Sequence, residues 1–76
     1  MQRVGTVVQT AQGLAIARVG TGEEPPDIGL MVVDESLSTV GRVVDVFGPV
    51  DRPYVAVTPN DGVELASMLG GKLYGR

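Results

Sequence analysis

Valine sets the rhythm of this chain. It stands at positions 4, 7, 8, 19, 32, 33, 40, 43, 44, 46, 50, 55, 57 and 63, in short runs interrupted by Gly, Pro, Asn and Asp. β-Branched side chains fit a pleated, half-buried surface. Turn signals recur about every eight to twelve residues, the spacing of a small all-β barrel or sandwich. The pattern predicts six strands: Arg3 to Gln9, Leu14 to Val19, Leu30 to Asp34, Val40 to Phe47, Tyr54 to Thr58 and Lys72 to Gly75. Period two assigns faces. In the second strand Leu14, Ile16 and Arg18 oppose Ala15, Ala17 and Val19. In the fourth, Val44 and Val46 oppose Val43, Asp45 and Phe47. In the fifth, Tyr54 and Ala56 oppose Val55 and Val57.

The connections follow from backbone chemistry. Gln12-Gly13 and Glu35 to Ser38 read as turns. Gly20 to Asp27 is a Gly/Glu/Pro loop, expected to be the mobile segment, where Pro25 and Pro26 forbid ladder donation. Gly41 inside the fourth strand predicts a bulge or bend. Gly48 to Arg52 is a stiff loop, because a residue before proline (Gly48, Arg52) is driven toward extended geometry. After the turn Pro59-Asn60-Asp61-Gly62, Asp61 and Glu64 have the spacing of a capping box and predict a short helix from Gly62 or Val63 to Leu69, stopped by Gly70-Gly71. Six short strands leave unpaired edges, and closing the sheet removes them. The expected fold is all-β: a small six-stranded β-barrel with one short helix near the C-terminus, residues 1–76 forming a single domain.

Composition then removes function classes. The 76 residues include no Cys, no His and no Trp, and only 4% are aromatic. Thiol and histidine catalysis and the usual zinc and iron–sulfur sites go together, and no disulfide can support the fold. Small aliphatic residues must fill a narrow barrel by themselves. The longest apolar stretches run three to four residues, against the ~20 of a spanning helix. A soluble intracellular protein with no membrane partner is expected. The net charge is −3, and the six cations Arg3, Arg18, Arg42, Arg52, Lys72 and Arg76 are scattered singly among nine acids. Affinity for a phosphate backbone comes from clustered Lys and Arg, so free-standing nucleic-acid binding is not expected.

Candidate chemistry is sparse. Glu23-Glu24 read as a solvated face and Asp34-Glu35 as turn residues; no spacing supports a metal at Asp34, Asp45 and Asp51. Gly20-Thr21-Gly22-Glu23-Glu24-Pro25 begins like a dinucleotide fingerprint. It then fails, because proline replaces the third glycine and the segment is acidic where a pyrophosphate would sit. No cofactor and no catalytic group is expected. The informative segment is Asp45 to Val55, DVFGPVDRPYV, which gathers Phe47, Tyr54, Pro49, Val50 and Pro53 around one loop. Two readings fit these residues. The rings plug the barrel and the prolines stiffen a turn, or the loop is a rigid apolar knob for a protein partner, since pre-ordered aromatic anchors lose little entropy on docking. Val50, apolar in mid-loop, favours the knob.

The stretch Val40 to Pro59, VGRVVDVFGPVDRPYVAVTP, resembles the signature of the Gar/Naf family. Its glycine, its Val-rich strand ending Asp-Val-Phe, and its Gly-Pro-Val-x-x-Pro-Tyr-Val run stand here as Gly41, Asp45, Val46, Phe47, Gly48, Pro49, Val50, Pro53, Tyr54 and Val55. Gly5, Val32-Val33-Asp34 and Gly71-Lys72-Leu73-Tyr74 extend the likeness over nearly the whole chain. The resemblance implies a six-stranded barrel related to domain II of translation elongation factors. It implies a non-catalytic subunit of archaeal-type H/ACA ribonucleoproteins, the RNA-guided pseudouridine synthases; the family's assembly-factor branch shares the barrel, and compactness favours the mature-particle subunit. Such a subunit binds the catalytic domain of the dyskerin-like synthase and promotes substrate RNA loading and turnover in rRNA pseudouridylation. Guide RNA is then met only through the complex. On this reading Phe47, Gly48, Pro49, Val50, Pro53 and Tyr54 form the docking surface. The site of action would be cytoplasmic in an archaeal setting and nucleolar in a eukaryotic one. Without its partner the docking face could pair two copies. The sequence runs to Arg76 with neither the Gly/Arg-rich tail of eukaryotic members nor a basic extension, so the auxiliary RNA contacts of those segments are not expected from these residues.

Two other readings compete. Val32 to Val46 also resembles the PRC-barrel pattern of turn, Gly, Val and Asp, which would place the chain in ribosome maturation. The discriminator is the Gly-Pro-Val-x-x-Pro-Tyr run that follows. A minimal RNA-binding barrel of the OB or Sm kind needs stacking aromatics and a basic groove. Three aromatics and a net charge of −3 argue against it.

Overall fold

The computed structural model describes residues 2–76. Six strands, β1 (Gln2–Ala11), β2 (Leu14–Arg18), β3 (Met31–Val33), β4 (Thr39–Phe47), β5 (Tyr54–Pro59) and β6 (Lys72–Gly75), pair antiparallel in the order β1-β2-β5-β4-β3-β6 and close into a barrel. The expected class is therefore the observed one, and strand bounds move by two residues at most.

Four irregularities bend the strands into closure. In the registers of β1 with β6 and with β2, Val4 and Val8 are each one residue in excess; in those of β4 with β3 and with β5, Val40 and Val44 are. Such insertions raise local twist and turn a strand round a barrel. Gly41 sits beside one of them. A Cβ there would run into the Thr58 carbonyl of β5, so this glycine permits close approach of two backbones as well as the bend.

The interior is built almost entirely from small branched side chains. Val4, Val7, Val19, Val32, Val40, Val43, Val55 and Val57 pack with Ala15, Ala17, Met68 and Leu73. No aromatic ring belongs to this cluster. Ala15 and Ala17 of β2, Val19 just after it, and Val55 and Val57 of β5 join the core cluster as period two predicts; Ile16 and Ala56, on the opposite faces, are buried too but outside it.

The predicted C-terminal helix is corrected. Only a four-residue 3₁₀ turn, Leu65–Met68, forms, and Glu64 rather than Asp61 precedes it, without a side-chain cap. The Val63 amide donates to the Asn60 carbonyl at 3.1 Å, and Gly62 takes a φ of +86°. That turn consumes the residues a first helical turn needs. What remains before Gly70, with φ +79°, is long enough to place Met68 in the core and no more. In the loop from Gly20 to Asp27, Pro26 is buried and Glu23 meets Arg3 at 3.5 Å.

Candidate functional site

Phe47 ends β4 and Tyr54 begins β5, and the two face each other in register. Their ring centroids lie 5.6 Å apart with planes 23° from parallel, an offset stack of the kind that adds about 0.5–1.5 kcal/mol beyond area burial. Phe47 is nevertheless 43% exposed and Tyr54 half-buried. The narrow valine core has no room for rings, so the stack stands outside it.

The loop between them is fixed by local geometry. Gly48 has φ +94°, and a Cβ there would lie 2.9 Å from Tyr54 Cδ2. Only glycine lets the chain turn against the ring. The Arg52 amide donates to the Pro49 carbonyl at 3.3 Å, closing a turn with Val50 at its crest. Val50 is 99% exposed. Pro53 is buried, and its carbonyl accepts the Val19 amide at 3.1 Å. Arg52 Nε donates to the Val19 carbonyl at 3.4 Å. The foot of the loop is thus fastened to the end of β2. Of the six residues singled out, Phe47, Gly48, Pro49 and Val50 form an exposed ridge, Tyr54 backs it, and Pro53 lies beneath as its support.

Arg18 is the member that the sequence did not point to. Period two puts it on one face with Leu14 and Ile16, and its neighbour there comes from β5, a strand distant in sequence. Arg18 pairs with Tyr54, and its guanidinium lies 5.1 Å from the ring centroid, within cation–π range. Its Nε is buried without a hydrogen-bond partner. The ring, not a carboxylate, holds this charge.

The cations scattered along the sequence are partly gathered by the fold. Folding brings Arg3, Arg18, Arg52 and Lys72 to the walls of one groove, with Thr6, Tyr74 and Glu23. Residues far apart in sequence meet there because β1 pairs with both β2 and β6. Asp34 does what was expected of a turn residue. Its Oδ1 accepts from the Ser36 amide at 2.9 Å, the Ser36 hydroxyl at 2.7 Å and the Ser38 amide at 3.1 Å. The Ser36 hydroxyl above all, then the Ser38 amide, holds the carboxyl below its ordinary value. Among the described residues no helix is long and apolar enough to cross a membrane.

This arrangement offers recognition surface: an apolar ridge on a stiff turn, a stacked pair behind it, and cations beyond. A curated relative, described as an uncharacterized protein of Methanocaldococcus jannaschii, is 35% identical over 65 residues, which make up 84% of this chain and 75% of the relative. The family model "Gar1/Naf1 RNA binding region" matches residues 1–75. That span includes the Gly48 to Tyr54 loop, not only the Val32 to Val46 stretch on which the PRC-barrel likeness rests. The chain belongs to the Gar1/Naf1 family, whose members are accessory, non-catalytic proteins of H/ACA ribonucleoproteins.

Proposed function

We propose that this chain is the non-catalytic subunit of an H/ACA small ribonucleoprotein that docks on the catalytic domain of the dyskerin-like pseudouridine synthase. From there it promotes loading and release of substrate RNA during rRNA pseudouridylation. The docking surface is the ridge of Phe47, Gly48, Pro49 and Val50, backed by Tyr54 and supported by Pro53. The setting is the cytoplasm of an archaeal cell, or the nucleolus of a eukaryotic one.

The observation that carries the reading is the placement of Val50. A branched apolar side chain left 99% exposed between two prolines contributes almost nothing to folding. It gains only by leaving water against something else. A pre-ordered turn reduces the entropy lost on docking, and the neighbouring Phe47 adds aromatic area of the kind concentrated at binding hot spots. With the partner missing, the same ridge is open to a second copy of the chain.

The test is direct association. The chain and the purified catalytic subunit, without RNA, should form a stoichiometric complex at micromolar concentration by calorimetry and size exclusion. Separate elution and no heat of binding would refute the reading.

A further inference from the structure

A second surface lies beyond the docking ridge. One row of cross-strand neighbours runs over five strands: Phe47 pairs with Tyr54, Tyr54 with Arg18, Arg18 with Thr6, and Thr6 with Lys72. At about 4.8 Å per strand, Arg18 and Lys72 flank Thr6 roughly 10 Å apart. Arg3 and Arg52 line the same groove, whose volume is about 240 Å³. Four of the six cations of a chain with net charge −3 therefore meet in one place. Glu23 is the one acid in its wall, and it is spoken for by Arg3 at 3.5 Å. Among the described residues no carboxylate pairs with Arg18, Arg52 or Lys72.

Fixed, unpaired cations are costly to keep together, since like charges repel. Two of them are nonetheless held in position. The Tyr54 ring holds Arg18, and the Val19 carbonyl holds Arg52 through Nε, which leaves the terminal nitrogens of Arg52 free of that bond. Planar guanidinium forks suit phosphate oxygens, and Thr6, which lines the groove between Arg18 and Lys72 in the row, carries a hydroxyl able to donate.

We infer that this groove is an anion site for the phosphodiester backbone of single-stranded RNA. The match to an RNA-binding region favours phosphate over the carboxylates of an acidic protein. So does the aromatic pair at the end of the row, since stacking surface beside a basic groove is the usual composition of single-strand binders. The charged groups of this groove are not those of the docking ridge, although Tyr54 borders both, and the groove adds a direct RNA contact to a subunit otherwise reaching RNA through its complex.

The experiment measures anisotropy of a labelled oligouridylate with the 76-residue chain across a range of salt concentrations. Three to four phosphate contacts predict a log–log slope of about −2 to −3, at about 0.7 per contact on a single strand. Arg18→Gln, Arg52→Gln and Lys72→Gln should each weaken binding and flatten the slope by about 0.7. Arg42→Gln and Arg76→Gln remove the same charge outside the groove and should leave the slope intact. Arg52 and Lys72 are exposed, so that pair carries the test should Arg18→Gln unsettle the fold. Equal effects from groove and control variants, or no salt-dependent binding, would overturn the inference. Displacement of the RNA by poly-glutamate at equal charge would also overturn it, assigning the groove to protein carboxylates. Val50→Ala separates the two readings, since it should leave RNA binding unchanged.

Discussion

Val50→Ala isolates docking from folding more cleanly than any other change in this chain. The substitution removes two methyl groups from a side chain that is 99% exposed. Surface changes of this kind alter stability by about 0.5 kcal/mol or less, so thermal and denaturant unfolding of the isolated chain should be unmoved. In a docked complex the same atoms leave water. At about 0.8 kcal/mol per buried methylene-sized group, the loss is about 1.6 kcal/mol, or about 15-fold in Kd. Val50→Asp should cost more, because a carboxylate would be stripped of water as well.

Calorimetric titration of each variant with the catalytic subunit, paired with circular dichroism of the free chain, reads both quantities. Unchanged affinity for both variants in a folded chain would remove Val50 from the interface and, with it, the main support for the ridge. A fall in affinity matched by an equal fall in unfolding midpoint would mean that the loop is part of the folding unit and no separate prong exists.

Other outcomes follow from the same geometry. Phe47→Ala forfeits the stack on Tyr54, so stability should drop by about 0.5–1.5 kcal/mol, while partner affinity should drop by about 2 kcal/mol or more as at a hot spot; the two assays together separate the effects. Gly41→Ala drives a Cβ into the Thr58 carbonyl and should destabilise by about 1–3 kcal/mol, measured as a lowered denaturant midpoint with an unchanged slope. Asp34 holds its carboxyl below its ordinary value of 3.8 through the Ser36 hydroxyl and then the Ser38 amide. The folded state therefore binds fewer protons than the unfolded chain in acid, so this contribution is full above pH 3.8 and is lost as pH falls below it. Asp34→Asn should flatten that acid limb in melting curves recorded against pH.

The strands were readable because valine-rich runs are cut by Gly, Pro, Asn and Asp at turn spacing, although burial alternates only in part: β2 and β5 are each buried at three consecutive positions. The bulges were only half readable. Gly41 announced one, but Val4, Val8 and Val44 look like ordinary strand residues, and their excess shows only in the register of paired strands. The C-terminal helix failed for a related reason. Asp61 and Glu64 have capping-box spacing, yet the turn closed by Asn60 and Val63 uses the same backbone first. The loop from Gly48 to Tyr54 was legible as a unit because its prolines and glycine dictate local geometry. Arg18 and the cationic groove were not. They depend on β2 meeting β5 and β1 meeting β6, pairings between segments about 35 to 70 residues apart whose identity no local pattern encodes.

The same cause lies behind the core and both surfaces. A barrel this narrow is filled by eight valines and a few companions, leaving no volume for a ring. Every aromatic side chain must then sit outside, where burial on folding cannot be its whole reward. Phe47 and Tyr54 become a stack at the strand ends, and Tyr54 in turn supports Arg18, which a carboxylate would have neutralised. Holding a cation with a π-face leaves its charge available to a ligand, whereas an ion pair would cancel it. The Phe47-to-Lys72 row therefore grades from apolar through aromatic to cationic within a few strand widths. An Arg18→Gln change tests the separation. It removes the charge held over the Tyr54 ring and leaves the ridge and its stack in place, so RNA affinity should fall while partner affinity holds near its original value. If both affinities fall together, the ridge and the groove are one surface; if RNA affinity does not move, Arg18 is no part of the anion site.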